Sequence, residues 1–174
     1  MSADKPTAYL DSNIPSALHY DGGNTLLLRR KGATCDWWRL ERHLFHLWTS
    51  KTALLELAEG HYGGQAHAVA EAYRLPHLSS TAAVKHCASQ LIRERLVPAS
   101  EERDALHLAF CIVHRIDYLL TWNQAHLDNL EVKSRLAVVC KRERWRAPWI
   151  VSPDTILKAV LEQTIRRKNE DQAF

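Results

Sequence analysis

Three acidic side chains lie far apart in the sequence, in segments that a folded chain would bring to one place. Asp11 follows the short apolar run TAYL, Glu56 stands in the apolar stretch TALLELAEG, and Asp104 opens a helical segment. A carboxylate at the end of a buried strand is costly unless it is paired or used. Three converging carboxylates would repel one another and raise each other's pKa values, and a divalent cation removes that repulsion. Oxygen ligands of this kind suit Mg²⁺ or Mn²⁺.

The elements that would position these acids are strands alternating with helices. Apolar runs predict strands at 7–11, 46–50, 75–80, 118–122 and 148–152. Helical patterns fall at 13–18, 25–44, 52–60, 64–74, 81–94, 101–114, 127–144 and 154–168, with Ser100 as the expected N-cap of the sixth. This alternation predicts an α/β fold with a mainly parallel sheet covered on both faces. Such sheets bind ligands at the carboxyl ends of their strands, where Asp11 would lie.

Each of the three acids also has a purely structural explanation. Asp11 could cap the next helix, Glu56 could be an exposed helix acid, and Asp104 could favour the helix dipole by about 0.3–1 kcal/mol. The three together favour a metal site, because structural roles do not require three acids at one edge of a sheet. The predicted strand YLLTW is followed by Asn123, so an amide is expected at the same edge.

Length and composition limit the class of protein. The chain has 174 residues, of which 46% are hydrophobic and 25% charged, as is typical of one soluble globular domain. No apolar stretch approaches the roughly 20 residues of a membrane span, and the start MSADKPTAYL has no signal-peptide pattern. We therefore expect a cytoplasmic protein with a core at about 7–165 and a polar tail at about 166–174. The four cysteines form no CxxC pair, so buried thiols are expected.

The distribution of positive charge adds a weaker indication. The net charge is only +3, too small to establish a nucleic-acid partner. A basic stretch at the end of the predicted seventh helix could contact RNA phosphates, or it could be a solvated helix end. Its residues are Lys141, Arg142, Arg144 and Arg146.

Several segments resemble the signature blocks of PIN-domain ribonucleases, in the same order. They are YLDSNIPSAL, LWTSKTALLELAEG and DALHLAFCIVHRIDYLLTWNQAHLDN. The chain is most similar to PIN proteins of the VapC toxin type, and the likeness extends through DWWRLERH and IVSPDTIL. The resemblance implies a three-layer α/β/α sandwich and a metal-dependent endoribonuclease. It places the family's acids at Asp11, Glu56 and Asp104, and it places Asn123 at a fourth position that is aspartate in many members.

The resemblance also implies how such a site would work. The three acids would hold one or two Mg²⁺ or Mn²⁺ ions, which would activate a water and stabilise charge on the scissile RNA phosphate. Asn123 would offer a carbonyl oxygen without charge. Ser12 and Thr121 could support the carboxylates or could serve as caps, and Asp128 could help without binding the metal directly.

Further expectations depend on the same likeness. Because a bound metal supplies the nucleophile, structural roles are favoured for His107, His114 and His126, and Asp117 is expected in a turn. A toxin of this type implies an RNA substrate, an antitoxin partner that buries the active site, and a homodimer. No membrane association is expected.

Two other classes of protein compete with the nuclease interpretation. Phosphatases with an aspartate nucleophile also begin with a strand that ends in aspartate, but they need a second aspartate two residues on, where this chain has Asn13. A non-catalytic RNA- or protein-binding module is the remaining alternative. Metal-dependent cleavage that Asp11→Asn abolishes would separate the nuclease from such a module.

Overall fold

A parallel sheet runs through the centre of the structure. The computed structural model describes residues 5–171, with side chains to residue 165. Its strands are β1 (Thr7–Leu10), β2 (His46–Ser50), β3 (His77–Leu78), β4 (Tyr118–Leu120) and β5 (Trp149–Val151). Within the described residues the strands lie in the order β3-β2-β1-β4-β5 and every neighbouring pair is parallel. The predicted α/β fold with a parallel sheet is confirmed.

Eight α-helices lie between or after these strands in the described part of the chain. They are α1 (Asn13–Leu18), α2 (Thr25–Leu40), α3 (Lys51–Glu59), α4 (Gln65–Tyr73), α5 (Ala82–Arg93), α6 (Glu102–Val113), α7 (Leu130–Glu143) and α8 (Ile156–Asp171). Short 3₁₀ turns at Arg42–Leu44 and Ala99–Glu101 precede β2 and α6. Each β–α–β crossover carries the chain back to the amino edge of the sheet, so the carboxyl ends of the strands share the other edge.

Helices cover both faces of the sheet, which gives the three-layer α/β/α sandwich. Successive strand residues point to opposite faces. In β1, Tyr9 belongs to a buried cluster with Leu108 of α6 and Leu136 of α7. Leu10 belongs to a second buried cluster with Trp37 of α2, on the opposite face. A strand that is buried on both sides has a continuous apolar sequence, which is why TAYL could be recognised as a strand.

Capping side chains set where four of the helices begin. Each cap accepts a hydrogen bond from the backbone N–H three residues on; the caps are Asn24, Ser50, Thr81 and Asn129. The prediction of Ser100 as the N-cap of α6 is wrong. The 3₁₀ turn Ala99–Glu101 takes up that residue, and α6 begins at Glu102 without a side-chain cap.

Three helix boundaries differ from the prediction by three residues or more. The helix predicted at 25–44 ends at Leu40, where the chain tightens into a 3₁₀ turn. The helix predicted at 127–144 begins at Leu130, because Asn129 caps it there. Residues 166–171 of the predicted polar tail belong to α8, and residues 172–174 lie outside the described residues.

Two expectations from composition can be compared with the structure. The four cysteines are free thiols; Cys87, Cys111 and Cys140 are buried, and Cys35 is partly exposed. Burial raises the pKa of Cys87 to about 12 and that of Cys140 to about 11, so these thiols stay protonated. Over residues 5–171, none of the helices combines the length and the apolar character needed to cross a membrane.

Asp117 holds the amino edge of the sheet together. Its carboxylate accepts hydrogen bonds from the backbone N–H and the hydroxyl of Thr7, both at 2.8 Å, and pairs with Arg146. Burial alone would raise the pKa of Asp117, but the hydrogen bonds from Thr7 and the charge of Arg146 lower it. The predicted turn residue therefore ties β1 and β4 to the segment before β5.

Candidate functional site

Asp11 lies at the carboxyl edge of the sheet, immediately after β1, and is only 3% exposed. Its backbone N–H donates to the carbonyl of Leu120, so the residue is fixed against the end of β4. Its Oδ2 accepts hydrogen bonds from Asn13 Nδ2 at 2.6 Å and from Thr121 Oγ1 at 2.5 Å. Its Oδ1 accepts from Ser12 Oγ at 3.2 Å. These donors stabilise the charged carboxylate and set its orientation.

Glu56 reaches the same place from the second turn of α3, and His107 of α6 lies between the two acids. The imidazole Nε2 is 3.1 Å and 3.2 Å from the carboxylate oxygens of Glu56 and 3.4 Å from Asp11 Oδ1. The other ring nitrogen, Nδ1, is 2.7 Å from the hydroxyl of Tyr9, which is 2.7 Å from Ser50 Oγ. His107 is 1% exposed, so these contacts replace water around the whole ring.

The charge on His107 is a consequence of its two acidic neighbours. Burial opposes the imidazolium, but the carboxylates of Asp11 and Glu56 outweigh it and raise the pKa of His107 to about 9. For Glu56, burial favours the neutral form, but the hydrogen bond from His107 lowers the pKa of its carboxyl. At neutral pH a buried positive charge therefore offsets part of the negative charge of the two carboxylates.

Asp104 occupies an adjacent position, in the first turn of α6. Asn123 Nδ2 donates to both of its carboxylate oxygens at 3.0 Å, and His126 Nδ1 is 3.1 Å from Oδ2. Burial and the charge of Asp11 raise the pKa of the Asp104 carboxyl. Asn123 acts here as a donor that orients Asp104, because its own Oδ1 accepts a hydrogen bond from the backbone N–H of His126.

The three predicted acids are thus divided between two neighbouring groups. Asp11, Glu56 and His107 each offer a ligand atom, and these atoms lie within 4.8 Å of one another. Glu101, Asp104 and His126 form a second such group. The separation arises because His107 follows Asp104 by three residues, about one helical turn, and inserts its ring beside the first two acids. The buried group of Asp11, Glu56 and His107 can hold a metal ion.

The donor chemistry of that group fits a hard divalent cation. Carboxylate oxygens suit Mg²⁺ and Mn²⁺, whereas a protonated imidazole has no lone pair to offer. The Asp11 Oδ1 oxygen faces Glu56 across His107, while Oδ2 is already engaged by Asn13 and Thr121. Oxygens of the two acids would therefore be the ligand atoms, and a bound cation would replace the positive charge of His107.

The residues predicted to support the site have different positions. Ser12 and Thr121 both contact Asp11, as described above. Asp128 forms an ion pair with Lys133 Nζ at 2.5 Å. Its side chain lines a groove beside β5 and does not join the acidic cluster. Its backbone N–H donates to the carbonyl of Asn123 at 2.8 Å, so it shapes the loop after β4 through the main chain.

The basic stretch lies at the opposite edge of the sheet from the acids. Helix α7 begins beside the carboxyl edge and ends at the amino edge, because it carries the chain back to the start of β5. There Arg146 pairs with Asp117, and Arg142 pairs with Glu94 at 2.8 Å and with Glu143. The two remaining residues of the stretch, Lys141 and Arg144, are exposed. The structure therefore separates the basic stretch from the acids, and its contact with RNA stays a prediction.

Two residues that contact Asp11 were missed from the sequence. Asn13, which holds Asp11, also donates to Thr121 Oγ1 at 3.0 Å and accepts from the backbone N–H of Trp122 at 2.8 Å. His107 was assigned a structural role and proves to contact both Asp11 and Glu56. The sequence did indicate that His107 lies near the site. Asp104 precedes it by three residues, and residues at that spacing share a face of a helix.

Fold and site together define the class of this protein as an α/β sandwich with a buried acidic cluster at the carboxyl edge of a parallel sheet. No protein-family model matches the chain, and comparison with curated proteins finds no significant match. Any functional assignment therefore depends on the chemistry of the cluster and on the resemblance of its sequence segments.

Proposed function

We propose that this chain is a divalent-metal-dependent ribonuclease of the PIN type that hydrolyses RNA phosphodiester bonds. The observation that carries the proposal is the convergence of Asp11, just after β1, and Glu56, in the helix after the adjacent strand β2, into one buried group with ligand atoms within 4.8 Å. Burying two carboxylates side by side is costly. A cation bound between the two carboxylates would offset that cost.

The residues of the site have distinct proposed roles. Asp11 and Glu56 would hold Mg²⁺ or Mn²⁺, and a cation bound there would supply a nucleophilic water and neutralise charge on the phosphate. Thr121 keeps Asp11 oriented through its 2.5 Å hydrogen bond. Asp104, whose pKa is raised by burial, would bind a water molecule and accept its proton, while Asn123 holds the carboxylate in place.

The test is cleavage of labelled single-stranded and structured RNA by the purified chain in Mg²⁺, Mn²⁺ or EDTA. Asp11→Asn keeps the shape of the side chain and removes its charge. Asp36→Asn, at an exposed position of α2, is the matched control. Cleavage that requires metal, disappears in the first variant and persists in the second supports the proposal. Cleavage in EDTA, or undiminished cleavage by Asp11→Asn, overturns it.

One observation favours a second candidate, a PIN-like module that binds RNA or protein without cleaving. His107 already offsets one of the two negative charges of Asp11 and Glu56, so the cluster is partly neutralised without a cation. Asn123 also brings an amide where an additional carboxylate would strengthen metal binding. RNA binding in EDTA combined with no cleavage in Mn²⁺ would select this candidate.

The remaining parts of the proposal rest on the sequence resemblance alone. They are a toxin role in a type II toxin–antitoxin pair, an antitoxin that covers the acidic cluster, and a homodimer. Co-purification of a small partner that inhibits cleavage would test the first two. Sedimentation equilibrium of the isolated chain would test the third.

A further inference from the structure

Trp122 lies inside the loop that builds the acidic site. Its neighbour Thr121 donates a hydrogen bond to Asp11, and its other neighbour Asn123 donates to Asp104. The backbone of Trp122 is therefore fixed between the two acidic groups. A residue that contacts the indole of Trp122 is held beside these groups.

The indole of Trp122 supports an arginine from α2. Its Nε1 donates to Thr34 Oγ1 at 2.9 Å, which sets the plane of the ring, and Trp122 is 6% exposed. The guanidinium carbon of Arg30 lies over that ring, 5.5 Å from its centre. Thr34 in turn donates to the carbonyl of Arg30 at 2.7 Å, one turn away on the same helix. A cation–π contact on a fixed ring restricts the arginine without neutralising it.

Over residues 5–165, the charge of Arg30 is not neutralised by an ion pair. No carboxylate of the described residues lies within ion-pair distance of Arg30, although the side chain is partly buried. Arg103 and Arg146 differ in this respect: Arg103 makes two hydrogen bonds to Glu59, and Arg146 pairs with Asp117. A half-buried, oriented and unpaired guanidinium is suited to a ligand that is itself an anion.

We infer that Arg30, supported by Trp122, binds a phosphate of the RNA backbone next to the scissile bond. The inference deepens the proposed function and rests on it. A guanidinium presents paired N–H donors that match the oxygens of a phosphate. The loop 121–123 connects the arginine to both acidic groups, so a strand whose cleaved phosphate lies at Asp11 would pass this position. The phosphate contact is thereby assigned to α2, not to the basic stretch at the amino edge.

The experiment measures binding separately from cleavage. Fluorescence anisotropy of a fluorescein-labelled single-stranded RNA is recorded in EDTA over a series of KCl concentrations, with the full chain. For single strands each phosphate contact contributes about 0.7 to the slope of log affinity against log salt. Arg30→Ala should weaken binding about tenfold at low salt and reduce the slope by about 0.7. Arg30→Lys should keep the slope, because it keeps the charge.

Lys141→Ala is the matched control, since it removes one positive charge from an exposed position at the amino edge. Its affinity and slope should equal those of the unmodified chain. If Arg30→Ala keeps the full slope, or if Lys141→Ala shows the loss instead, the inference is overturned. If the unmodified chain binds no RNA in EDTA, the inference is overturned, and the cleavage assay in Mg²⁺ or Mn²⁺ decides the proposed function separately.

The two proposals can fail independently. RNA cleavage that needs metal, combined with an unchanged slope in Arg30→Ala, supports the nuclease and refutes the arginine contact. RNA binding with an Arg30-dependent slope but no cleavage in Mg²⁺ or Mn²⁺ supports the arginine contact and refutes hydrolysis.

Discussion

Replacing His107 by glutamine should expose the electrostatic cost of the acidic cluster. The imidazolium is the group that contacts both Asp11 and Glu56, at 3.4 Å and 3.1 Å. Glutamine retains a side-chain amide that can donate a hydrogen bond but carries no charge. The variant therefore keeps most of the packing and leaves two neighbouring buried carboxylates without compensation.

The magnitude follows from the pKa of His107. In the folded chain it is about 9, against an ordinary value of 6.5. A pKa difference of this size corresponds to about 3 kcal/mol of folding free energy. Since the folded pKa is raised, that stabilisation is fully present below the ordinary pKa and is lost as the pH rises through about 9. The cost of His107→Gln should therefore be about 3 kcal/mol at neutral pH and much smaller above the folded pKa.

Urea unfolding followed by circular dichroism measures this cost. The unmodified chain and His107→Gln are compared in EDTA at about pH 7 and about pH 10, so that groups common to both proteins cancel in the difference. His86→Gln, at an exposed position of α5, is the control for the substitution itself. Repeating the pH 7 series with Mn²⁺ should stabilise His107→Gln more than the unmodified chain, because no proton on position 107 then competes with the cation.

Two results would refute this reasoning. A stability difference that is the same at both pH values would mean that the charge of His107 does not support the fold. A larger Mn²⁺ stabilisation of the unmodified chain would mean that His107 is a ligand of the cation and not a positive charge that competes with it.

Two further substitutions test the edges of the sheet. Asn123→Asp replaces the hydrogen-bond donor to Asp104 by a like charge. It should therefore lower the unfolding free energy in EDTA by about 1–2 kcal/mol and tighten Mn²⁺ binding measured by calorimetry. Unchanged Mn²⁺ affinity would contradict this. Asp117→Asn should lower the unfolding free energy by about 1–3 kcal/mol without changing RNA cleavage per folded molecule. Because the pKa of Asp117 is depressed, that difference should diminish as the pH falls through the folded pKa, and a loss of cleavage would show that the two edges are coupled.

The strands and the edge that carries the site could be predicted from sequence, since a doubly buried parallel strand needs an unbroken apolar run. TAYL and YLL are such runs, and the polar residues that follow them mark the carboxyl edge. Helix ends were less predictable where a local turn competes with the helix, as at Ser100. That competition depends on a few hydrogen bonds and leaves little trace in residue periodicity.

The division of the acids into two groups could not be predicted, because it depends on which side chain of α6 inserts between them. The sequence shows Asp104 and His107 on one helical face but not which of them reaches Asp11. The sequence also left open at which edge of the sheet the basic stretch lies. Its residues follow the carboxyl edge in sequence, and only the 14-residue length of α7 shows that they have crossed to the other edge.

The central position of β1 has a consequence for the biosynthesis of this chain. β1 pairs on one side with β2 and on the other with β4, and the hydrogen bonds that orient Asp11 come partly from a residue 110 positions later. A nascent chain that has emerged only as far as α6 already carries both acids of the first group, but it lacks β4 and the loop that holds them. Contacts of such long sequence separation form late in folding. A ribonuclease made this way would stay inert beside the ribosome's own RNA until most of its chain had been released.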